Sequence, residues 1–242
     1  MRYRELSIEG GLLLSPDKIT DSRGCFYEAY RPGELADHAG HPFTVAQTNF
    51  SVSARGVLRG IHGTLTPPGQ AKVVTCHRGA VLDVIVDLRQ GSPTFGRHQS
   101  HVLRAESGAA VYLAEGLGHA FLALTDDTCV GYLCSTPFVP GTQIDLDPFD
   151  PDLAIDWGPA KDLHVSEKDR RAPGLAEAAR SGLLPRHDDC LALYERLRRA
   201  ADPGRPDRGG PLVTHRLSPP AHPRPPRAPR AQGGDATEPG GS

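Results

Sequence analysis

The stretch Gly56–Lys72, GVLRGIHGTLTPPGQAK, sets Arg59, His62 and Lys72 among glycines and a Pro-Pro-Gly turn, with Val57, Leu58 and Ile61 as core-type neighbours. Charged and titratable groups at the edge of a core cost desolvation energy unless they are paired or used. A histidine here could act as a general base if it is neutral near pH 7 and oriented through its second nitrogen. A carboxylate commonly does the orienting. Asp83, Asp87 and Asp169 are the candidates, and spacing does not choose among them. Lys72 opens the apolar run Val73-Val74-Thr75-Cys76. Either its stem lies along a strand edge with the ammonium in water, or the ammonium is a fixed cation for an oxyanion or enolate.

Other polar residues have a chemical reading beside an ordinary one. His119, in GLGHAFLAL, suits a hydrogen-bonded histidine at a strand start. Tyr132, in VGYLC, suits packing plus one hydrogen bond; it could deliver a proton if its surroundings lower its pKa. Arg23, Glu28, Gln47 and Asn49 each fit a turn or an edge, and Arg23-Gly24 is only a weak phosphate signal. His62, His77, His98, His101 and His119 form no metal-binding array with the acids, so no bound metal is expected.

The elements that must position these groups are short β-type runs between turn signals. In Ala80–Leu88, Leu82, Val84, Val86 and Leu88 share one face, and Asp83, Ile85 and Asp87 the other. Val111–Leu113, His119–Thr125 and Cys129–Cys134 read as further strands, with turns at Asp21–Gly24, Arg78-Gly79, Gly91–Arg97, Glu115–Gly118 and Asp126-Asp127. Many short strands and no βαβ alternation or glycine-rich phosphate loop predict an all-β sandwich or barrel. In a regular strand Arg59 and His62 point to opposite faces. For both to line one cavity the strand must bulge or end between them, which Gly60 and Gly63 permit. Helical composition follows Ser166–Asp169, at Leu175–Ser181 and Cys190–Ala200.

The division expected is a catalytic domain over 1–185, a terminal helix over 186–202 and a disordered tail over 203–242. That tail holds ten prolines and seven glycines and is too polar to offset its ordering entropy. Its Arg216, Arg224, Arg227 and Arg230 between prolines fit a solvating tail better than a proline-motif or nucleic-acid ligand. Over the 242 residues the formal net charge is -2, which argues against a global nucleic-acid or membrane field. Five scattered cysteines (Cys25, Cys76, Cys129, Cys134, Cys190) fit reduced thiols rather than a disulfide framework. The charged N-terminus MRYRELSIEG is unlike a signal peptide, and no stretch approaches a membrane span, so a soluble cytoplasmic protein is expected.

In order along residues 3–185, the segments ITDSRGCFYEAY (19–30), AQTNFSVSARGVLRGIH (46–62), PPGQAK (67–72), GAVLDVIVDLRQGSPTFGR (79–97), EGLGHAFLAL (115–124), GYLC (131–134) and IDWGPAKDLHVSEKD (155–169) resemble the dTDP-4-dehydrorhamnose 3,5-epimerase family. The form IHGTLTPPG resembles the branch that serves antibiotic deoxysugars in actinomycetes. The resemblance implies a cupin-type jelly-roll β-sandwich with short C-terminal helices, assembled as a homodimer, using no cofactor and no catalytic metal. It implies inversion at C3, C5 or both of a dTDP-4-keto-6-deoxyhexose, by proton removal next to the C4 ketone and reprotonation from the opposite face. Position by position, it makes His62 the base, Asp169 its paired acid, Lys72 the cation near the C4 oxygen and Tyr132 the proton donor. Arg23, Glu28, Gln47, Asn49, Arg59, His119 and Lys168 fall at substrate-contacting positions, with the strand carrying Arg23 reaching the neighbouring subunit. Gly63, Phe138 and Gln143 depart from the rhamnose enzymes, where a tyrosine, a hydroxyl-bearing aromatic and an acid are common. Gly63 is thereby expected to leave space beside the base. A 3,4-ketoisomerase and a non-catalytic dTDP-sugar-binding cupin are the alternatives on the same fold, and a metal-dependent cupin oxygenase is the least supported.

Overall fold

The computed structural model describes residues 1–158 and 163–202. The expected disordered tail, 203–242, lies outside the described residues. In chain order the elements are β1 (Arg2–Glu5), β2 (Gly11–Ser15), β3 (Ile19–Asp21), β4 (Gly24–Phe26), α1 (Pro32–Ala39), β5 (Gln47–Ser53), β6 (Leu58–Thr64), β7 (Lys72–Arg78) and β8 (Ala80–Asp87). Then come β9 (His98–Arg104), β10 (Ala110–Leu113), β11 (Leu117–Ala123), β12 (Thr128–Cys134), β13 (Gln143–Asp145), α2 (Glu167–Arg170), α3 (Leu175–Arg180) and α4 (His187–Ala201). All strand pairs are antiparallel.

A six-stranded sheet runs β1-β2-β10-β7-β12-β5, and a five-stranded sheet runs β13-β6-β11-β8-β9. From β5 to β13 the chain changes sheet at every connection except the β8–β9 link. That wrapping is a jelly roll, the all-β sandwich the short-strand pattern predicts. α1 is not evident in the apolar spacing. Its signals are the end residues, Pro32 at the first turn and Gly40 in the left-handed C-cap conformation with φ 77°.

The alternation in β8 assigns the two apolar layers. Ile85 and Val81 join Val74, Cys76, Leu103, Val111, Phe121 and Val130 between the sheets. Val84, Val86 and Leu88 face outward with Leu58, Ile61, Ala120 and Leu122, and are covered by Leu146, Leu153, Trp157, Leu175, Ala178 and Leu184. The segment after β13 thus roofs the five-stranded sheet and carries α2 over β6. A parallel bridge pins it there: His164 N–H donates to Gly56 O at 2.9 Å, and Leu58 N–H to His164 O at 3.0 Å.

Asp83 and Asp87 face the interior and are fully buried. Arg89, equally buried, donates from Nε to Asp87 Oδ1 at 2.9 Å and from Nη2 to Oδ2 at 2.8 Å, while Ser92 and Thr94 hydroxyls donate to Oδ2. A further Arg89 bond reaches Glu9 O at 2.8 Å. The VDLRQGSPTFG motif is therefore a structural clamp between the β8–β9 loop and the β1–β2 turn.

Candidate active site

His62 and Arg59 share one face because β6 bulges. His119 on β11 pairs with His62 and Phe121 with Arg59, so Gly60 and Ile61 together oppose Ala120 alone. Only glycine serves at the first bulge position: Gly60 has φ 116°, and a Cβ there would lie 2.6 Å from both Ala120 Cβ and His119 O. The insertion restores the parity that a regular strand denies to two residues three apart.

Of the three candidate acids, Asp169 is the one at His62. His62 Nε2 lies 2.8 Å from Asp169 Oδ1. Ser166 caps α2 by accepting from Asp169 N–H at 3.1 Å, which fixes the turn that delivers the carboxylate. Ser166–Asp169 is thus itself the start of a helix rather than its prelude. Asp83 instead holds His119, Oδ2 to Nε2 at 2.6 Å, and Asp87 belongs to Arg89. Once Nε2–H is donated to the buried Asp169, the lone pair of neutral His62 resides on Nδ1. Burial lowers the pKa of His62, opposed by the Asp169 hydrogen bond and charge, so the imidazole favours the neutral form a base requires.

A cleft of about 150 Å³ opens beside it, lined by His62, Gly63, Lys72, Phe138, Gln143, Asp145 and Lys168, with Thr64, Gln70, Pro137 and Val139 completing the wall. Lys72 enters from β7, opposite Cys134 on β12. Its ammonium makes no hydrogen bond or ion pair with the described residues, and burial pushes its pKa below the ordinary lysine value. Lys168 donates to Asp145 Oδ1 at 2.8 Å. That same oxygen is 3.7 Å from His62 Nε2.

Tyr132 projects from the other sheet. Its ring meets the His119 ring edge-on at 5.9 Å, and its hydroxyl lies 3.3 Å from Ser51 Oγ. It does not border the cleft beside His62. Its surroundings raise rather than lower its pKa, to about 12, chiefly by burial. The phenol therefore stays protonated at neutral pH.

The remaining positions divide. Gln47 accepts from Phe138 N–H at 2.8 Å and donates to Asn49 Oδ1 at 2.8 Å, joining β5 to the cleft's outer wall. Arg59 donates from Nε to Ser53 Oγ at 3.0 Å. Arg23 and Glu28 are not at the cleft. Arg23 sits in the exposed β3–β4 turn bonded to Asp21, and Glu28 is exposed and bonded to Arg31. Gly63 also behaves differently from expectation: a Cβ there would meet Leu88 Cδ1 at 3.1 Å and Ile144 Cβ at 3.5 Å. Its missing side chain points into the outer apolar layer, so the glycine leaves no added space beside the base.

Asp145, Ser51 and Cys134 are site residues that sequence reading passed over. Asp145 matters only because β13 pairs it with His62, and Ser51 only because β5 pairs with β12. No local spacing signals either. The fold adds a second acid to the expected pair: His62, Asp145 and Asp169 bring their donor atoms within 4.8 Å of one another, a grouping that the spacing along the chain does not show. Positive charge is already supplied there by the Lys168 ammonium.

The sequence profile of a family described as dTDP-4-dehydrorhamnose 3,5-epimerase matches residues 5–177. A dTDP-4-dehydrorhamnose 3,5-epimerase of Mycolicibacterium smegmatis is 50% identical over 199 residues, covering 82% of this chain and 98% of that protein. A dTDP-4-dehydrorhamnose 3-epimerase of Streptomyces niveus is 48% identical over 193 residues, covering 80% and 93%. Among solved structures, a 3'-monoepimerase from Streptomyces bikiniensis in complex with dTDP-quinovose superposes with a TM-score of 0.77 at 48% identity, covering 80% of this chain and 98% of that one.

Proposed function

Because this chain belongs to the dTDP-4-dehydrorhamnose 3,5-epimerase family, we propose that it inverts C3, and C5 where the substrate allows, of a dTDP-4-keto-6-deoxyhexose in deoxysugar biosynthesis. Inversion at C3 is common to the names of the relatives above, which divide over C5. The observation that carries the reading is one cleft holding a carboxylate-paired histidine and a lysine with no hydrogen bond or ion pair among the described residues.

A proton next to a ketone is only weakly acidic. His62 Nδ1 removes it, and Asp169 holds the ring and stabilises the imidazolium that forms. The Lys72 ammonium is the cation that stabilises the charge developing on the C4 oxygen, a role that its poor solvation in the cleft wall supports. Tyr132, outside the lining of the His62 cleft but carried on the opposing sheet, is the acid that returns a proton to the other face of a ring reaching past that cleft; its raised pKa keeps it protonated for the transfer to the far more basic enolate carbon. Gln47, Asn49, Arg59, His119 and Lys168 serve substrate binding, with Arg59 suited to the diphosphate. The reaction is redox-neutral and needs no cofactor. We assign no metal to the His62–Asp145–Asp169 group, because Lys168 neutralises Asp145 and His62 occupies Asp169. Arg23 and Glu28 lie on exposed chain away from the cleft beside the exposed Ile19 and Phe26, which supports a homodimer in which they complete the partner's site. Cytoplasmic residence fits the expected reduced thiols. No helix among the described residues is long and apolar enough to cross a membrane.

The test is turnover of the 4-keto sugar nucleotide in deuterated water. Deuterium enters C3, with or without C5, in the wild type. His62→Ala abolishes exchange, whereas Tyr132→Phe retains exchange and loses inversion. Failure of the wild-type protein to exchange either position overturns the reading. Carbonyl migration in the product would point to the ketoisomerase instead.

A further inference from the structure

His62 is flanked by more charge than a catalytic dyad requires. On one side Asp169 Oδ1 bonds Nε2 at 2.8 Å. On the other, Asp145, its cross-strand partner from β13, brings Oδ1 to 3.7 Å from the same nitrogen. That oxygen is also the acceptor for Lys168 Nζ at 2.8 Å. Two carboxylates and one ammonium therefore surround one ring nitrogen. The other charged or titratable neighbours are differently engaged: Lys72, from β7, lines the cleft, and His119, paired with His62 from β11, is bonded to Asp83.

The two carboxylates are not equivalent. Asp169 is buried and bonded to the ring, so it sets orientation and tautomer. Asp145 is about a quarter exposed and beyond hydrogen-bond reach of the ring, so it acts through charge. Lys168, one residue before Asp169 on α2, disfavours the imidazolium, and Asp145 favours it. A base that must hold a proton briefly and release it gains from such opposed charges.

We propose that Asp145 is a positioning residue for the His62 base: it holds the Lys168 ammonium by a salt bridge and presents a second negative charge to Nε2, so that the basicity of the imidazole is set from two sides. This rests on His62 being the base, yet part of it can be read without turnover.

The experiment titrates 15N-histidine-labelled protein by NMR in the wild type, Asp145→Asn, Asp145→Glu and Lys168→Met, and follows the pH dependence of deuterium exchange in the same set. In Asp145→Asn the His62 midpoint moves to lower pH, because a favourable charge is gone and Lys168 is uncompensated. In Lys168→Met it moves to higher pH. Asp145→Glu restores a position near wild type. The acid limb of the rate profile follows each midpoint, and a less basic imidazole lowers kcat of Asp145→Asn by roughly tenfold with little change in KM. A midpoint in Asp145→Asn that stays put or rises overturns the proposal. So does a rise in KM at constant kcat, which would confine Asp145 to substrate binding. Should Asp145→Asn fail to fold, Lys168→Met decides by the direction of its shift. The NMR midpoints need no substrate, so absent exchange in the wild type would count against the epimerase reading and leave the Asp145 result standing.

Discussion

In the proposed mechanism Lys72 sets the alkaline side of the activity profile. Its pKa lies below the ordinary lysine value through burial, while Tyr132 keeps its proton to about pH 12. Activity is expected to fall at high pH as Lys72 loses its charge, before Tyr132 ionises. On the acid side, rate falls as His62 becomes protonated, at a pH below its ordinary value of about 6.5. Lys72→Met should remove the alkaline limb and lower kcat/KM by about 10²–10³-fold, the scale of losing one oxyanion donor. A pH series of initial rates checks both, and an unchanged alkaline limb in Lys72→Met would reassign it. The polar residues beside the bulge were legible at this scale because Arg59, His62 and Lys72 are chemically out of place among glycines and core residues. Spacing alone did not choose among Asp83, Asp87 and Asp169; the family resemblance singled out Asp169, and the pairing of elements brings that carboxylate to His62.

At the scale of elements, the clamp around Asp87 ties β8 to the loop after it and to the first hairpin. Burial alone would raise the Asp87 pKa, but Arg89 and the two hydroxyls hold it below the ordinary carboxylate value. Its folded pKa being depressed, this contribution to stability is present above about pH 4 and lost as pH falls through the folded value. Asp87→Asn leaves Arg89 buried without its counter-charge and should cost about 3–5 kcal/mol at pH 7. Denaturant unfolding at pH 7 and pH 3 measures this, with a smaller difference between wild type and variant at the lower pH. Strand alternation made β8 readable and correctly split its faces. It could not show that the aspartates on the inner face serve two different partners, because Arg89 and His119 arrive by loop geometry and by cross-strand pairing. The bulge was legible as a requirement, from the odd separation of Arg59 and His62, and Gly60 meets it.

For the molecule as a whole, two groups of residues lie apart. Arg23 and Glu28 sit on exposed chain near β3–β4, and the His62 cleft lies between β6, β7 and α2. If a second copy joins them, mixing Arg23→Ala protomers with His62→Ala protomers should restore about half of wild-type activity per mixed dimer, or about a quarter over a statistical mixture. One intact site then draws its arm from one chain and its base from the other. Light scattering gives the mass of the mixture, and no recovery in a confirmed mixed dimer would place Arg23 outside the site. The sandwich itself was readable in short strands punctuated by Gly, Pro and Asp. The cleft was not, since it depends on the roof segment returning over β6 and pinning Gly56 and Leu58 through His164.

The orientation at Gly63 has a consequence for how this pocket can diversify. The wall next to the base is main chain, with the substitutable atom buried against Leu88 and Ile144. Point mutation there repacks the outer layer without redrawing the wall. Changes in substrate preference must instead be written on Phe138 and Gln143, whose side chains border the cleft and are exposed. A directed-evolution library confined to that rim would vary selectivity while leaving the proton-transfer groups and the bulge beneath them untouched.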